Sequence, residues 1–125
     1  MGILYVAMGG ALGSVLRYLM ANFIGHNLGN DFPYSVMIIN ITGSLMMGLF
    51  IGWLANVLPQ NAQDIRLFVA VGVLGGFTTF SSFSLDAIDL YENGKLLYMG
   101  IYILGSVTLS LLGLLSGLYI VRAIS

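Results

Sequence analysis

Four apolar stretches, each long enough to cross a bilayer and separated only by short polar breaks, constrain this chain more than any other feature. The hydrocarbon core needs about 20 consecutive apolar residues in a helix. The sequence supplies such runs at about 3–24, 34–57, 64–91 and 96–123. The first ends in Gly25-His26-Asn27-Leu28-Gly29-Asn30-Asp31-Phe32-Pro33, a cluster that reads as a loop with His26 solvated in it. Leu58-Pro59-Gln60-Asn61 and Glu92-Asn93-Gly94 supply the other two breaks, and Asp64 suits a helix N-terminus. The expected fold is an all-α integral membrane protein, a single four-helix transmembrane domain over residues 1–125. The apolar start, Met1 to Gly13, carries no basic n-region and reads as a retained first membrane helix.

Composition excludes most other functions. Charged residues make up 7% of the 125, the net charge is −1 and there is no cysteine. No basic field is available for nucleic acid, and disulfides and thiolate chemistry are excluded. No nucleophile, metal-ligand or phosphate-loop pattern is present, so no enzyme is expected. All five acids, Asp31, Asp64, Asp86, Asp89 and Glu92, fall in breaks or near segment ends. That leaves no intramembrane carboxylate for proton-coupled cation export.

Small residues four apart recur in the segments: Gly9 and Gly13, Gly48 and Gly52, Gly72 and Gly76, Ser106 and Ser110, Gly113 and Gly117. Such faces let helix backbones approach closely in lipid. Tyr34, Trp53, Tyr91 and Tyr98 lie near segment ends, as interfacial aromatics do. With four crossings, Arg66 and Arg122 share one side, and Lys95, with Arg17, belongs to the other. A bias so near zero predicts insertion in both orientations and pairing of oppositely oriented copies.

Polar residues at membrane depth mark helix contacts or pathways. Arg17 either snorkels to the interface or acts as a cation that attracts anions. Asn40, with Thr42 and Ser44, either bonds across a helix contact or donates to an anion. The densest cluster is Gly75-Gly76-Phe77-Thr78-Thr79-Phe80-Ser81-Ser82-Phe83-Ser84. Paired glycines ahead of a hydroxyl run predict a helix break near the midplane, where freed carbonyls can hold a cation and half-helix N-termini face an anion; the alternative is an unbroken helix whose Ser and Thr bond back to their own backbone while the phenylalanines face lipid. Tyr102, Ser106 and Ser110, four apart, share one helix face, as a ladder of hydroxyl donors or as packing.

Taken together, GGALGSVLRY (Gly9 to Tyr18), NITGS (Asn40 to Ser44), GVLGGFTTFSSFS (Gly72 to Ser84) and the Tyr102, Ser106, Ser110 ladder resemble the Fluc/CrcB fluoride channels. The resemblance covers nearly the whole chain, and the Gly75 to Ser84 element is its most specific part. It implies a multi-pass protein of a prokaryotic-type plasma membrane, assembled in the lipid as an antiparallel, dual-topology homodimer with two pores for passive fluoride efflux. It further implies a sodium ion at the dimer centre, held by the main-chain carbonyls of Gly75 and Thr78 from both subunits. On the fluoride pathway it implies Asn40, Phe80 and Phe83, with Arg17 and the Tyr102, Ser106 and Ser110 track, and Ser81 and Ser84 add hydroxyls beside the phenylalanines. The alternatives are a small four-helix multidrug or cation exporter, which needs a first-helix glutamate absent here, and a non-transporting membrane assembly protein.

Overall fold

The computed structural model describes residues 1–29 and 31–124. Asn30, placed by sequence in the first loop, lies outside the described residues, as does Ser125. Among the described residues all regular structure is helical: α1 (Gly2–Leu28), α2 (Tyr34–Val57), α3 (Ala62–Arg66) running into a π-helical segment (Leu67–Leu74), α4 (Gly75–Phe77), α5 (Phe80–Glu92) and α6 (Leu96–Ile124). Four spans are long and apolar enough to cross a membrane: Gly2–Leu28, Tyr34–Val57, Ala62–Glu92 and Leu96–Ile124. At about 1.5 Å per residue even the shortest, 24 residues, exceeds the roughly 30 Å hydrocarbon core.

The first helix runs one turn further than expected, through His26 to Leu28. Local hydrogen bonds explain the extension. Asn27 Nδ2 donates to the Phe23 carbonyl at 2.7 Å, and the Gly29 N–H donates to Gly25 O at 3.0 Å. Gly29 then takes φ 81°, a conformation open to glycine at little cost, and the chain turns out of the helix. His26 is therefore a last-turn helical residue and not a loop residue.

Small residues organise the packing into two close helix pairs. In the first, α1 lies against the front half of the third span. A Cβ added at Gly9 or Gly13 would collide with the carbonyl oxygen of Phe68 or Val73, and one at Gly72 would reach 2.8 Å from the Gly9 Cα. In the second pair, α2 lies along α6. A Cβ on Gly48 would strike Leu114 O, and one on Gly117 would come within 2.6 Å of Leu45 O and Leu49 N. Ser35 Oγ donates to Ala21 O at 3.2 Å and ties the pairs together. At one end, Ala87, Leu90 and the fully buried Tyr102 form a cluster with Phe32, Met37 and Phe83 against it.

The third span is broken, as the sequence predicts, but two residues later than the glycine pair suggests. Gly75 and Gly76 stay helical, and the chain extends at Thr78 (φ −83°, ψ 160°) and Thr79 (φ −151°, ψ 122°). Gly76 is required by packing: its missing Cβ would sit 2.8 Å from Gly10 O and 3.3 Å from Ser14 N. Thr79 starts the second half as its N-cap, with Oγ1 accepting from the Ser82 N–H at 3.2 Å.

Candidate functional site

A break inside a membrane span frees backbone groups that must find partners. Asn40, about two turns into α2, satisfies two of them. The Thr79 N–H donates to Asn40 Oδ1 at 2.8 Å, and Asn40 Nδ2 donates to the Thr79 carbonyl at 2.9 Å. Arg17 satisfies a third, its Nε donating to Gly76 O at 3.1 Å. Arg17 thus sits half-buried at the break instead of snorkelling to the interface. The carbonyl oxygens of Gly75 and Thr78 receive no hydrogen bond among the described residues.

Beside the break a cavity of about 330 Å³ opens between α2, the Thr78–Phe83 stretch and α6. Its walls carry Asn40 and Ser44 from α2, Thr78, Thr79, Phe80 and Phe83 from the break, and Ser106 and Ser110 from α6. The sequence-predicted residues Asn40, Phe80, Phe83, Ser106 and Ser110 are therefore brought together. Ser106 is 4% exposed, and among the described residues its hydroxyl has no hydrogen-bond partner. A buried hydroxyl without a partner is costly. Ser106 is a wall residue of the cavity, with its oxygen buried behind the surface.

The other predicted residues stand elsewhere. Ser81 Oγ lies 3.4 Å from Thr79 Oγ1, and Ser84 Oγ donates back to Phe80 O at 3.0 Å, so neither hydroxyl lines the cavity. Thr78 Oγ1 likewise donates to Leu74 O at 3.1 Å. Arg17 faces the break from the α1 side, outside the cavity. The expected ladder on α6 divides: Ser106 and Ser110 reach the cavity, whereas Tyr102 is fully buried below it and donates its phenol proton to Asp86 Oδ2 at 3.1 Å. Asp86, placed by sequence near a segment end, lies six residues before the end of the third span and is half-buried there. Nothing in its spacing flagged it, because its partner is on another helix. Ser44, which the sequence offered only as a neighbour of Asn40, is a wall residue one turn along α2.

The aromatic rings form a continuous stack. Phe80 and Phe83 centroids lie 5.6 Å apart, Phe83 and Tyr102 5.1 Å apart with planes 34° apart, and Phe32 meets Tyr102 edge-on at 5.7 Å. Phe80 is 77% exposed on the single chain.

Residues 4–118 match the family described as CrcB-like protein, camphor resistance (CrcB). The chain belongs to the CrcB family. Curated relatives agree along its whole length. It is 46% identical over 125 residues, all of both chains, to a protein of Rhodopseudomonas palustris (strain BisB5) named fluoride-specific ion channel FluC. A protein of the same name from Nitrobacter winogradskyi is 50% identical over 124 residues, 98% of this chain and 96% of its own. One named fluoride-specific ion channel FluC 1, from Nitrobacter hamburgensis, is 48% identical over 122 residues, 98% of this chain and 96% of its own. In this CrcB-family chain the break, the cavity and the unpartnered Ser106 hydroxyl all lie inside the matched residues.

Proposed function

We propose that the chain is a fluoride-selective channel subunit that lets the ion leave the cell passively, through the cavity beside the third-span break. The observation that carries this reading is the cavity wall, where Asn40, Ser44 and Ser110 stand with Phe80 and Phe83 beside the helix break. Fluoride is small and strongly hydrated, and a site that strips its water must replace it with donors. Ser110 and Ser44 bring rotatable O–H groups to the cavity, with the buried Ser106 hydroxyl behind its wall. Asn40 keeps one N–H beyond its bond to Thr79, since a carboxamide nitrogen carries two. Phe80 and Phe83 add ring edges, the positive rim of the aromatic quadrupole, which attract an anion without a charge that would trap it. Arg17 contributes its positive charge from behind the break, held off the path by Gly76. Tyr102 is the support beneath the Ser106 and Ser110 track, and Ser81 and Ser84 support the break from α5. A serial run of weak sites conducts, and a larger, weakly hydrated anion gains less from it.

The working unit is an antiparallel homodimer in the plasma membrane, with a pore associated with each chain. Supporting this is the small orientation bias: Arg17 is tied to Gly76, leaving Arg66 and Arg122 at one end against Lys95 at the other. The carbonyls of Gly75, in the last helical turn before the break, and of Thr78, within it, suit a sodium ion between two chains, because neither receives a hydrogen bond among the described residues. When bound, sodium supplies a positive centre that joins the two breaks. No acid occupies α1, which disfavours the drug-cation exporter.

The test is fluoride efflux from liposomes holding the purified protein, with a potassium ionophore to balance charge and chloride-loaded vesicles alongside. Rapid fluoride loss without chloride loss is expected. Equal loss of both, or of neither from folded protein, overturns the reading. A C-terminal tag found on one face only, in every molecule, overturns the antiparallel arrangement.

A further inference from the structure

Asp86 lies in the last turns of the third span, where it lines a second, polar pocket with Asp31, Asp89, Asn93 and Lys95, and the pathway described above has no use for it. A negative charge there repels fluoride, so its presence needs a reason. The geometry supplies one. Tyr102 is 0% exposed, and its phenol proton goes to a single acceptor, Asp86 Oδ2, at 3.1 Å. The Tyr102 ring stacks on Phe83 at 5.1 Å, and Phe83 lines the cavity and meets Phe80 at 5.6 Å. A phenol stripped of water turns its O–H toward whatever acceptor is present. The acceptor therefore sets where the Tyr102 ring sits, and that ring covers one face of Phe83.

We propose that Asp86 is a positioning residue for the ion path: by accepting the Tyr102 proton it fixes the ring that backs Phe83 and so holds Phe83 in place on the cavity wall. Two consequences separate this from a general structural role. Tyr102 is not a donor to the passing ion, because its one proton is already given to Asp86. What Asp86 contributes is an acceptor oxygen, which an amide also offers, and not its charge. The inference rests on the fluoride-channel reading.

The experiment compares fluoride and chloride efflux from liposomes for the unaltered protein, Asp86→Asn, Asp86→Leu, Tyr102→Phe and the Asp86→Leu/Tyr102→Phe double variant, each checked by gel filtration. Efflux in the unaltered protein tests the channel reading alone. Given that efflux, Asp86→Asn is expected within about threefold of it, since its carbonyl still accepts the phenol proton. Asp86→Leu and Tyr102→Phe are each expected to slow fluoride by at least about tenfold and to narrow the fluoride-over-chloride preference. The double variant is expected to be no slower than the slower single one, because both break the same link. Asp86→Leu at the unaltered rate overturns the proposal. So does Asp86→Asn as slow as Asp86→Leu, or Asp86→Asn markedly faster than the unaltered protein, since both assign the effect to charge. If Asp86→Leu does not fold, Asp86→Asn and Tyr102→Phe decide, and Tyr102→Phe at the unaltered rate overturns it.

Discussion

Replacing Asn40 by leucine separates what holds the break from what surrounds it. Leucine shares asparagine's branching at Cγ, and the cavity beside the site has room for its greater bulk, while both bonds to Thr79 vanish. A backbone group left without a partner away from water costs about 1–3 kcal/mol. The cavity beside Thr79 lets water reach part of the site, which places each loss at the low end and the sum near 2 kcal/mol. For a chain of this length about 4 °C of melting temperature accompanies each kcal/mol, so Asn40→Leu is expected to melt about 8 °C lower. Fluoride efflux should fall with it, because Thr78 and Thr79 form the wall between Asn40 and Phe80. The assay is melting of the purified protein followed by circular dichroism, with efflux measured below both transitions. Melting within about 2 °C of the unaltered protein would refute the clamp, because two bonds at 2.8 and 2.9 Å would then contribute nothing. Asn40→Asp is the companion: its fixed negative charge should stop fluoride flux, and near-normal flux would remove Asn40 from the path.

Phe80→Ile and Phe83→Ile should each abolish or greatly slow fluoride efflux while the protein still elutes as a folded species, and unchanged efflux in both would take the rings out of the pore. Phe80, 77% exposed on the single chain, should lose flux with the smaller stability cost. Gly13→Ala should cost roughly 1–3 kcal/mol or more and reduce yield, because its Cβ meets the Val73 carbonyl. Gly100→Ala, with nothing within 4 Å, should be neutral or stabilising by up to about 1 kcal/mol. Exchange of sodium for a bulky organic cation should lower efflux and the dimer fraction on gel filtration together, and no change in either would argue against a sodium ion held by Gly75 and Thr78.

The spans were legible because bilayer thickness fixes their length and Gly, Pro and Asn mark their ends. The α1 boundary slipped by a turn because Asn27 caps its own helix, a choice that composition does not reveal. The break was legible from the hydroxyl run, yet its position was not. Glycine reads as a helix breaker by propensity, whereas Gly76 is there to let α1 approach. Asn40 was legible as a polar residue at depth, but its partner lies 39 residues away and only tertiary structure joins them. Asp86 was legible as an acid near a span end, but its hydrogen bond to a tyrosine on α6 was not, for the same reason. The π-helical turns at Leu67–Leu74 have no counterpart in the sequence, whose apolar run suits an ordinary α-helix equally well.

The paired bonds between Asn40 and Thr79 make a side chain act as one rung of a β-ladder, donating and accepting against a single extended residue. The interrupted helix therefore does not set its own register: α2 does. Since α2 is keyed to α6 through Gly48 and Gly117, and α6 carries Ser106 and Ser110, opposite walls of the cavity are measured from the same two-helix frame. The two walls of the cavity therefore share one frame, which does not depend on the third span being continuous.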